Sequence, residues 1–505
     1  MPSPAPSPQA SPVHDDDARY RALLARDARF DGRLFVGVRT TGIYCRPVCP
    51  ARTPRRENVR FFVSAAAAQE AGFRPCLRCR PESAPDLGAW RGASNTVSRA
   101  LALIEAGALD AADLEGLADR LGVGGRHLRR LFRLHLGASP VAVAQTRRVL
   151  LAKQLLHETT LPMTEVALAA GFSSLRRFNE TFQALYRRPP GALRREGARR
   201  PSAGEASLPL RLAYRAPFDW DALEAHLAAR AVAGVEHVAP GRYSRIVVVG
   251  GEIGWLSVAP GAGPWLEARF GLPRLSALPE LIARTRRLFD LGADPGAIAS
   301  ALEGDPDLGP RVAARPGLRA PGAWDGFELA VRAILGQQVS VAAAIRLAGL
   351  LAQRHGAPAP AGFKAPAPGL DRAFPTAEAL AQADLSDLPM PRARGRALNA
   401  LAKAAVADPA LLAPGGEPAK VEAALRALPG IGPWTASYIA LRALRDPDAF
   451  PAQDVALQRA LADADGARPS AAALEARSQA WRPWRAYAAQ HLWTTPRAPV
   501  PPSGA

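Results

Sequence analysis

Leu428-Pro429-Gly430-Ile431-Gly432-Pro433-Trp434-Thr435-Ala436 reads as a hairpin between two helices. Glycine tolerates positive φ, so Gly430 and Gly432 let the backbone turn tightly and aim its N–H groups outward. Pro433 can open the next helix, whose N-terminal N–H groups and dipole favour an anion such as a phosphate. Alone, the stretch could be only a tight turn. Farther along comes Phe450-Pro451-Ala452-Gln453-Asp454, with Asp454 directly before an apolar run, 455–462, that reads as a helix. An aspartate there caps the helix. Capping is compatible with catalysis, and hairpin plus carboxylate together point to a catalytic Asp454.

The surrounding chain suits that reading. Its 505 residues imply several domains, and 48% hydrophobic with 22% charged residues is ordinary for cores that fold. A net charge of +18, carried mostly by arginine, makes nucleic acid the leading partner, although GC-biased codon usage would also enrich arginine. The start, MPSPAPSPQASPVHDDD, is Pro/Ser-rich without an apolar segment, so it predicts a disordered tail and not a secretory signal. No run approaches 18 apolar residues, so no membrane span is expected and the location expected is cytoplasmic, at the nucleoid. Beyond Pro273 almost everything reads helical. Leu210–Tyr214 and Arg245–Val249 read as strands flanking an amphipathic helix at Trp220–Ala231.

All four cysteines lie near the N-terminus as Cys45-x3-Cys49 and Cys76-x2-Cys79. Two close pairs separated by a loop suit one tetrahedral Zn2+ held by four thiolates. Two disulfides or four unrelated thiols are the alternatives, and the lack of a secretory signal disfavours stable disulfides. Arg46, Arg52, Arg55, Arg56, Arg60, Arg74, Arg78 and Arg80 surround the pairs. They could neutralise the thiolates or seat a DNA phosphate.

Between these regions, Leu114–Leu121, a glycine turn and Gly125–Leu136 form a helix-turn-helix. A second copy runs Met163–Ala170, Gly171-Phe172-Ser173 and Ser174–Tyr186, joined to the first by a long helix at Val141–His157. Two recognition helices can enter successive major-groove segments of double-stranded DNA. Arg126, Arg130, Ser174, Arg176 and Arg177 are the candidate groove or phosphate contacts.

Three resemblances gather these motifs. RTTGIYCRPVCPAR, ENVRFF and AGFRPCLRC are similar to the N-terminal domain of the Ada adaptive-response proteins. That likeness implies that Cys45, as a zinc thiolate, accepts a methyl group from a DNA methylphosphotriester. VALAAGFSSLRRFNETFQALYRRPPGALRR resembles AraC-type regulators, which implies transcription activation and RNA polymerase as a partner. The hairpin with Asp454 resembles the helix-hairpin-helix DNA glycosylases. RLAYRAPFDWDALEAHLAARAV, ARPGLRAPGAWDGFELAVRAILGQQVSVAAA and AWRPWRAYAAQHLW narrow this to the AlkA-type 3-methyladenine DNA glycosylase II.

The last resemblance implies excision of alkylated bases such as 3-methyladenine. Asp454 would be the catalytic carboxylate, Trp434, Tyr438, Trp493 and His226 the base pocket, and Gly430, Gly432 and Gln338 the DNA contacts. An aromatic pocket would attract a cationic base. Trp434 stands where bifunctional relatives carry a Schiff-base lysine, and no cysteine follows Cys79, so a monofunctional enzyme without an iron–sulfur cluster is expected. Gln338 and His226 depart from the apolar wedge and aromatic wall of the best-known member. The competing reading is a transcription activator whose C-terminal half is an inactive DNA-binding scaffold.

The fold class expected is multidomain and predominantly α. It divides into a disordered tail (1–15), a small α+β zinc domain (16–85), a double helix-turn-helix (94–195), a linker (196–207), a small α+β domain (208–273), an all-α helix-hairpin-helix domain (274–495) and a second disordered tail (496–505). The linker predicts halves that work when separated.

Overall fold

The computed structural model describes residues 16–85, 95–194, 207–463 and 465–494. The expected linker, apart from Ser207, and both expected tails lie outside the described residues.

The N-terminal unit is a four-stranded sheet in the order Val59–Phe62, Phe35–Val38, Ile43–Cys45, Arg74–Pro75. Its longer strands are apolar on both faces, with Phe35 and Phe62 in one cluster and Val36, Val59 and Phe61 in another. Its last pair is parallel, with Tyr44 opposite Pro75. That register sets Cys45 beside Cys76, and the Cys76 N–H donates to the Tyr44 carbonyl at 3.0 Å.

The helix-turn-helix copies fold where the sequence places them: Leu114–Leu121 with Gly125–Leu136, and Met163–Ala169 with Leu175–Tyr186. Asp113 and Ser174 cap the first helix of the first copy and the second helix of the second. The helix Pro140–Glu158 joins the copies. Phe178, Phe182 and Tyr186 recur every fourth residue and bury one stripe of the last helix.

The next unit is a five-stranded antiparallel sheet in the order Leu208–Ala213, Trp265–Gly271, Glu252–Pro260, Arg242–Val249, Glu236–Ala239. Three of these strands go beyond the two expected. Helices from Leu278–Leu288 to Arg485–Thr494 complete the chain. A buried ion network ties sheet to helices: Arg245 and Arg332 hold Glu328 at 2.7 and 2.6 Å, and Arg332 also pairs with Glu236.

The two halves share a core. Phe178, Phe182 and Leu193 belong to the same apolar cluster as Leu208, Leu210, Leu278 and Leu281. Arg99 donates to the Gly415 carbonyl at 2.5 Å, and the exposed strand residue Arg211 is gripped by Glu158 and Gln154 of the long helix at 3.0 and 2.8 Å. The expectation of freely separable halves therefore meets a common interior. Halves produced as separate chains cut within 196–207 are expected to bind each other, read by co-elution in size-exclusion chromatography. Two independent, well-folded fragments would contradict the shared core.

Candidate active site and metal centre

Helices Pro418–Arg426 and Pro433–Arg442 flank the hairpin. Gly430 lies at φ +78, a backbone region costly for side chains, and a Cβ there would come within 2.9 Å of Ala397. Gly432 is extended and faces open space, and no side chain caps the helix that it begins. The helix N-terminus is thus free to meet an anion. Gln337 braces the turn, its amide donating to the Gly430 carbonyl at 2.8 Å and to Thr435 Oγ1 at 3.0 Å. Its neighbour Gln338 is exposed and holds φ +57, an uncommon conformation for a non-glycine residue.

Asp454 caps the helix Val455–Ala460 and is half-buried. Its Oδ1 accepts from the Ala456 and Leu457 amides at 2.9 and 3.0 Å and from Trp493 Nε1 at 3.1 Å. Its Oδ2 accepts from Trp434 Nε1 at 2.8 Å. Four N–H groups therefore fix the carboxylate from two backbone and two indole directions. The helix cap and the two indole contacts thus share one side chain.

The structure brings Asp454, Trp434, Tyr438, Trp493, His226, Gln338, Gly430 and Gly432 around one cavity of about 1,380 Å³. The rings are not equally available. Trp434 stacks on Tyr438 at 5.3 Å and 11°, and Arg442 lies 5.7 Å from the Tyr438 ring centre. These three follow at i, i+4 and i+8 on one helix face, so an indole, a phenol ring and a guanidinium succeed one another along the cavity. One face of Tyr438 is thus covered by the Trp434 indole, and the ring lines the cavity. Arg442, Arg230 and Gln490 also line the cavity and were not singled out from the sequence. The four-residue spacing from Trp434 through Tyr438 was the signal for Arg442.

At the other site, the sulfurs of Cys45, Cys49, Cys76 and Cys79 all lie within 4.8 Å of one another. Four sulfurs this close, with no disulfide among them, fit one tetrahedral Zn2+, and the chain binds zinc through this set. Cys49, Cys76 and Cys79 are buried, whereas Cys45 is half-exposed. The amides of Arg46 and Arg78 donate to the sulfurs of Cys79 and Cys76, each at 3.4 Å.

The surrounding arginines divide into two groups. Arg46 is anchored to Asp31, to the Cys79 carbonyl at 3.1 Å and to Ser83 at 2.7 Å. Arg80 pairs with Glu82 and Glu158, and Arg56 with Asp16 and Asp17. Arg52, Arg60 and Arg78 are exposed, and among the described residues none has a carboxylate partner. Arg55 lies 3.9 Å from Glu57, and the half-buried Arg74 likewise has no carboxylate partner among the described residues.

Lys153 of the long helix is fully buried and pairs with Glu82 at 2.7 Å while donating to the Cys76 carbonyl at 2.8 Å. Burial raises the Glu82 carboxyl, but Lys153 and His157 outweigh it and bring the value to about 2. Lys153→Met would remove the shortest ion pair of that buried carboxylate and leave it to Arg80 and His157. It is expected to destabilise the fold by about 1–3 kcal/mol, read by thermal unfolding, and to speed zinc release to a chelating dye. Unchanged melting and zinc release would show that the pair carries no such weight.

Among the helix-turn-helix candidates, Arg126 and Arg177 are exposed without a carboxylate partner among the described residues. Arg130 shares a 3.3 Å contact with His127. Arg176 pairs with Glu180 at 2.8 Å, and Ser174 spends its hydroxyl on the cap, accepting from the Arg177 amide at 3.2 Å. No helix among the described residues is long and apolar enough to cross a membrane.

Four family models match in order. "Metal binding domain of Ada" covers residues 18–82, "Helix-turn-helix domain" 117–196, "AlkA N-terminal domain" 209–325 and "HhH-GPD superfamily base excision DNA repair protein" 331–486. "DNA-3-methyladenine glycosylase 2" of Escherichia coli is 37% identical over 295 residues, 56% of this chain and 96% of its own length. "Bifunctional transcriptional activator/DNA repair enzyme Ada" of Escherichia coli is 41% identical over 157 residues, 31% of this chain and 43% of its own. The Mycobacterium tuberculosis protein described as "Probable bifunctional transcriptional activator/DNA repair enzyme AlkA" is 45% identical over 493 residues, 97% of this chain and 98% of its own. At that identity across nearly the whole of both sequences, this chain belongs to the family of bifunctional AlkA-type transcriptional activator/DNA repair enzymes.

Proposed function

We propose that this chain senses alkylation on DNA at Cys45, activates transcription through its helix-turn-helix pair and excises alkylated bases such as 3-methyladenine at Asp454. The observation that carries the reading is the carboxylate of Asp454, fixed by four N–H groups at a cavity beside an uncapped hairpin helix.

The excision steps follow from that geometry. The hairpin amides hold a backbone phosphate, and Gln338, on the cavity rim, enters the space that a flipped nucleotide leaves. The bond between C1′ and the base nitrogen breaks, and its electron pair stays on the base. The Asp454 carboxylate stabilises the positive charge developing on the sugar and orients the water whose oxygen adds to C1′. The indoles of Trp434 and Trp493 keep that carboxylate in place. Trp434 also stands where bifunctional relatives carry a Schiff-base lysine, so the reaction stops at base release. Incubation of methylated duplex with the protein should free methylated base and leave strands that break only after alkali. Breaks before alkali would contradict monofunctional hydrolysis.

At the zinc centre the reacting group is the Cys45 sulfur. Zinc bound by Cys45, Cys49, Cys76 and Cys79 keeps their sulfurs ionised near neutral pH. Cys45 is the half-exposed member of the four, the other three being buried. It forms a bond to the methyl carbon of a methylphosphotriester as the carbon–oxygen bond breaks, and the electron pair returns to the phosphate oxygen. The products are a thioether and an ordinary phosphodiester, so each molecule acts once. Loss of one negative charge at the DNA face reduces repulsion and tightens promoter binding. Arg52 and Arg78 seat the phosphate, Arg126, Arg130, Arg176, Arg177 and Ser174 line the grooves, and RNA polymerase is the partner recruited. The working division is a zinc domain at 16–85, a regulator at 94–195, and glycosylase domains at 208–273 and 274–495.

A further inference from the structure

The base pocket contains a buried charge that the excision scheme above does not use. Arg442 is 3% exposed. Its Nη1 donates to the Pro321 carbonyl at 2.9 Å and its Nη2 to Gln490 at 2.8 Å, while its Nε is buried without a partner. No carboxylate pairs with it among the described residues. Neighbouring buried arginines differ: Arg245 and Arg332 are held by glutamates, and Arg445 by Asp290. Burial lowers the Arg442 guanidinium to about 10, so it stays charged at neutral pH.

Arg230 lines the same cavity, and its side chain donates to the His226 carbonyl at 3.3 Å. Burial, Arg230 and Arg442 together hold the His226 imidazole well below its ordinary value, which leaves it neutral. Around His226 the wall thus carries two cations, Arg230 and Arg442, and a neutral imidazole. Glu236 and Glu328 elsewhere in the lining are paired with Arg332 and Arg245, and Asp454 is engaged by its own four donors. An unpaired buried cation is expensive to keep. Its guanidinium also lies 5.7 and 5.2 Å from the ring centres of Tyr438 and Trp493, so it already takes the aromatic attraction expected for a cationic base.

We propose that Arg442 is a specificity-determining residue of this pocket, setting the balance between neutral and cationic damaged bases. This rests on the excision reading given above. When the glycosidic bond breaks, its electron pair passes to the base. A cationic base leaves neutral, and the water releases its proton to solvent. A neutral base leaves as an anion and takes up that proton at its nitrogen. A fixed cation in the wall favours the second departure and opposes entry of the first kind of base.

The test uses the full-length protein and duplexes holding one hypoxanthine, a neutral lesion, or one 7-methylguanine, a cationic one. The readout is the ratio of their kcat/KM values for base release. Arg442→Gln should lower the neutral-to-cationic ratio about tenfold, and Arg442→Lys should restore most of it. If Arg442→Gln does not fold, His226→Asp places a negative charge beside Arg442 without touching its bonds, and the ratio should fall likewise. Two rates that drop in proportion would mark Arg442 as structural and overturn the proposal. A wild-type protein that releases only 7-methylguanine, or variants that leave the ratio unchanged, would overturn it too. A wild-type protein that binds both duplexes yet releases neither base would instead overturn the excision reading, and this role with it.

Discussion

Asp454→Asn should leave binding to damaged duplex intact and lower base release by about 10²–10³-fold. Asparagine is nearly isosteric and caps helices as well as aspartate does. Its single carbonyl oxygen can take over the three bonds that Oδ1 now accepts, from Ala456, Leu457 and Trp493. The amide nitrogen would then face the Trp434 N–H, donor against donor, in place of the present 2.8 Å bond. That mismatch costs about 1–3 kcal/mol of stability, too little to unfold a domain of this size. What is lost is the negative charge opposite the sugar cation. Binding is measured on duplex carrying a stable abasic analogue, so it does not depend on turnover. Base release at the wild-type rate would remove Asp454 from the chemistry.

Cys45→Ser should abolish methyl uptake from methylphosphotriesters. Serine is a poor zinc ligand and its hydroxyl stays protonated near neutral pH, so both metal retention and nucleophile fail at that position. The three remaining sulfurs cannot substitute: Cys49, Cys76 and Cys79 are 7%, 5% and 7% exposed. The sheet should survive, since Cys45 ends a strand that Tyr44 keeps in register with Gly37 on one side and Pro75 on the other. Base release should continue, because the pocket draws on the other end of the chain. Labelled methyl still reaching the variant protein would place the acceptor on another cysteine.

Much of this was legible from residues alone because each motif combines a local signal with its chemistry. Asp454 announces itself as a cap before an apolar helix, and Gly430 as a turn requiring positive φ. The cysteine spacing is legible for a geometric reason, since pairing Tyr44 with Pro75 carries Cys45 to Cys76. Other features needed three dimensions. Gly250-Gly251, at φ +58 and +80, forms a two-residue turn pairing Val249 with Glu252. Such a turn is a hairpin signal, but Trp255 and Gly254 in the return strand weaken its alternation, and the strand was not expected. Which arginines are free could not be read either. Arg46 and Arg80 are consumed by Asp31 and Glu158, partners remote in sequence. Nor does any local pattern reveal that Arg442 lacks a carboxylate, because that depends on what every neighbouring element fails to supply.

The central claim is that one chain carries two separate alkyl-removing chemistries, at Cys45 and at Asp454. Duplex DNA bearing labelled methyl groups, incubated with the purified protein, tests it most directly by the fate of the label. The account predicts label in two places, bound to protein through Cys45 and free in solution as methylated base. Cys45→Ser should erase only the first and Asp454→Asn only the second. Label found on the protein alone, or in free base alone, would contradict it.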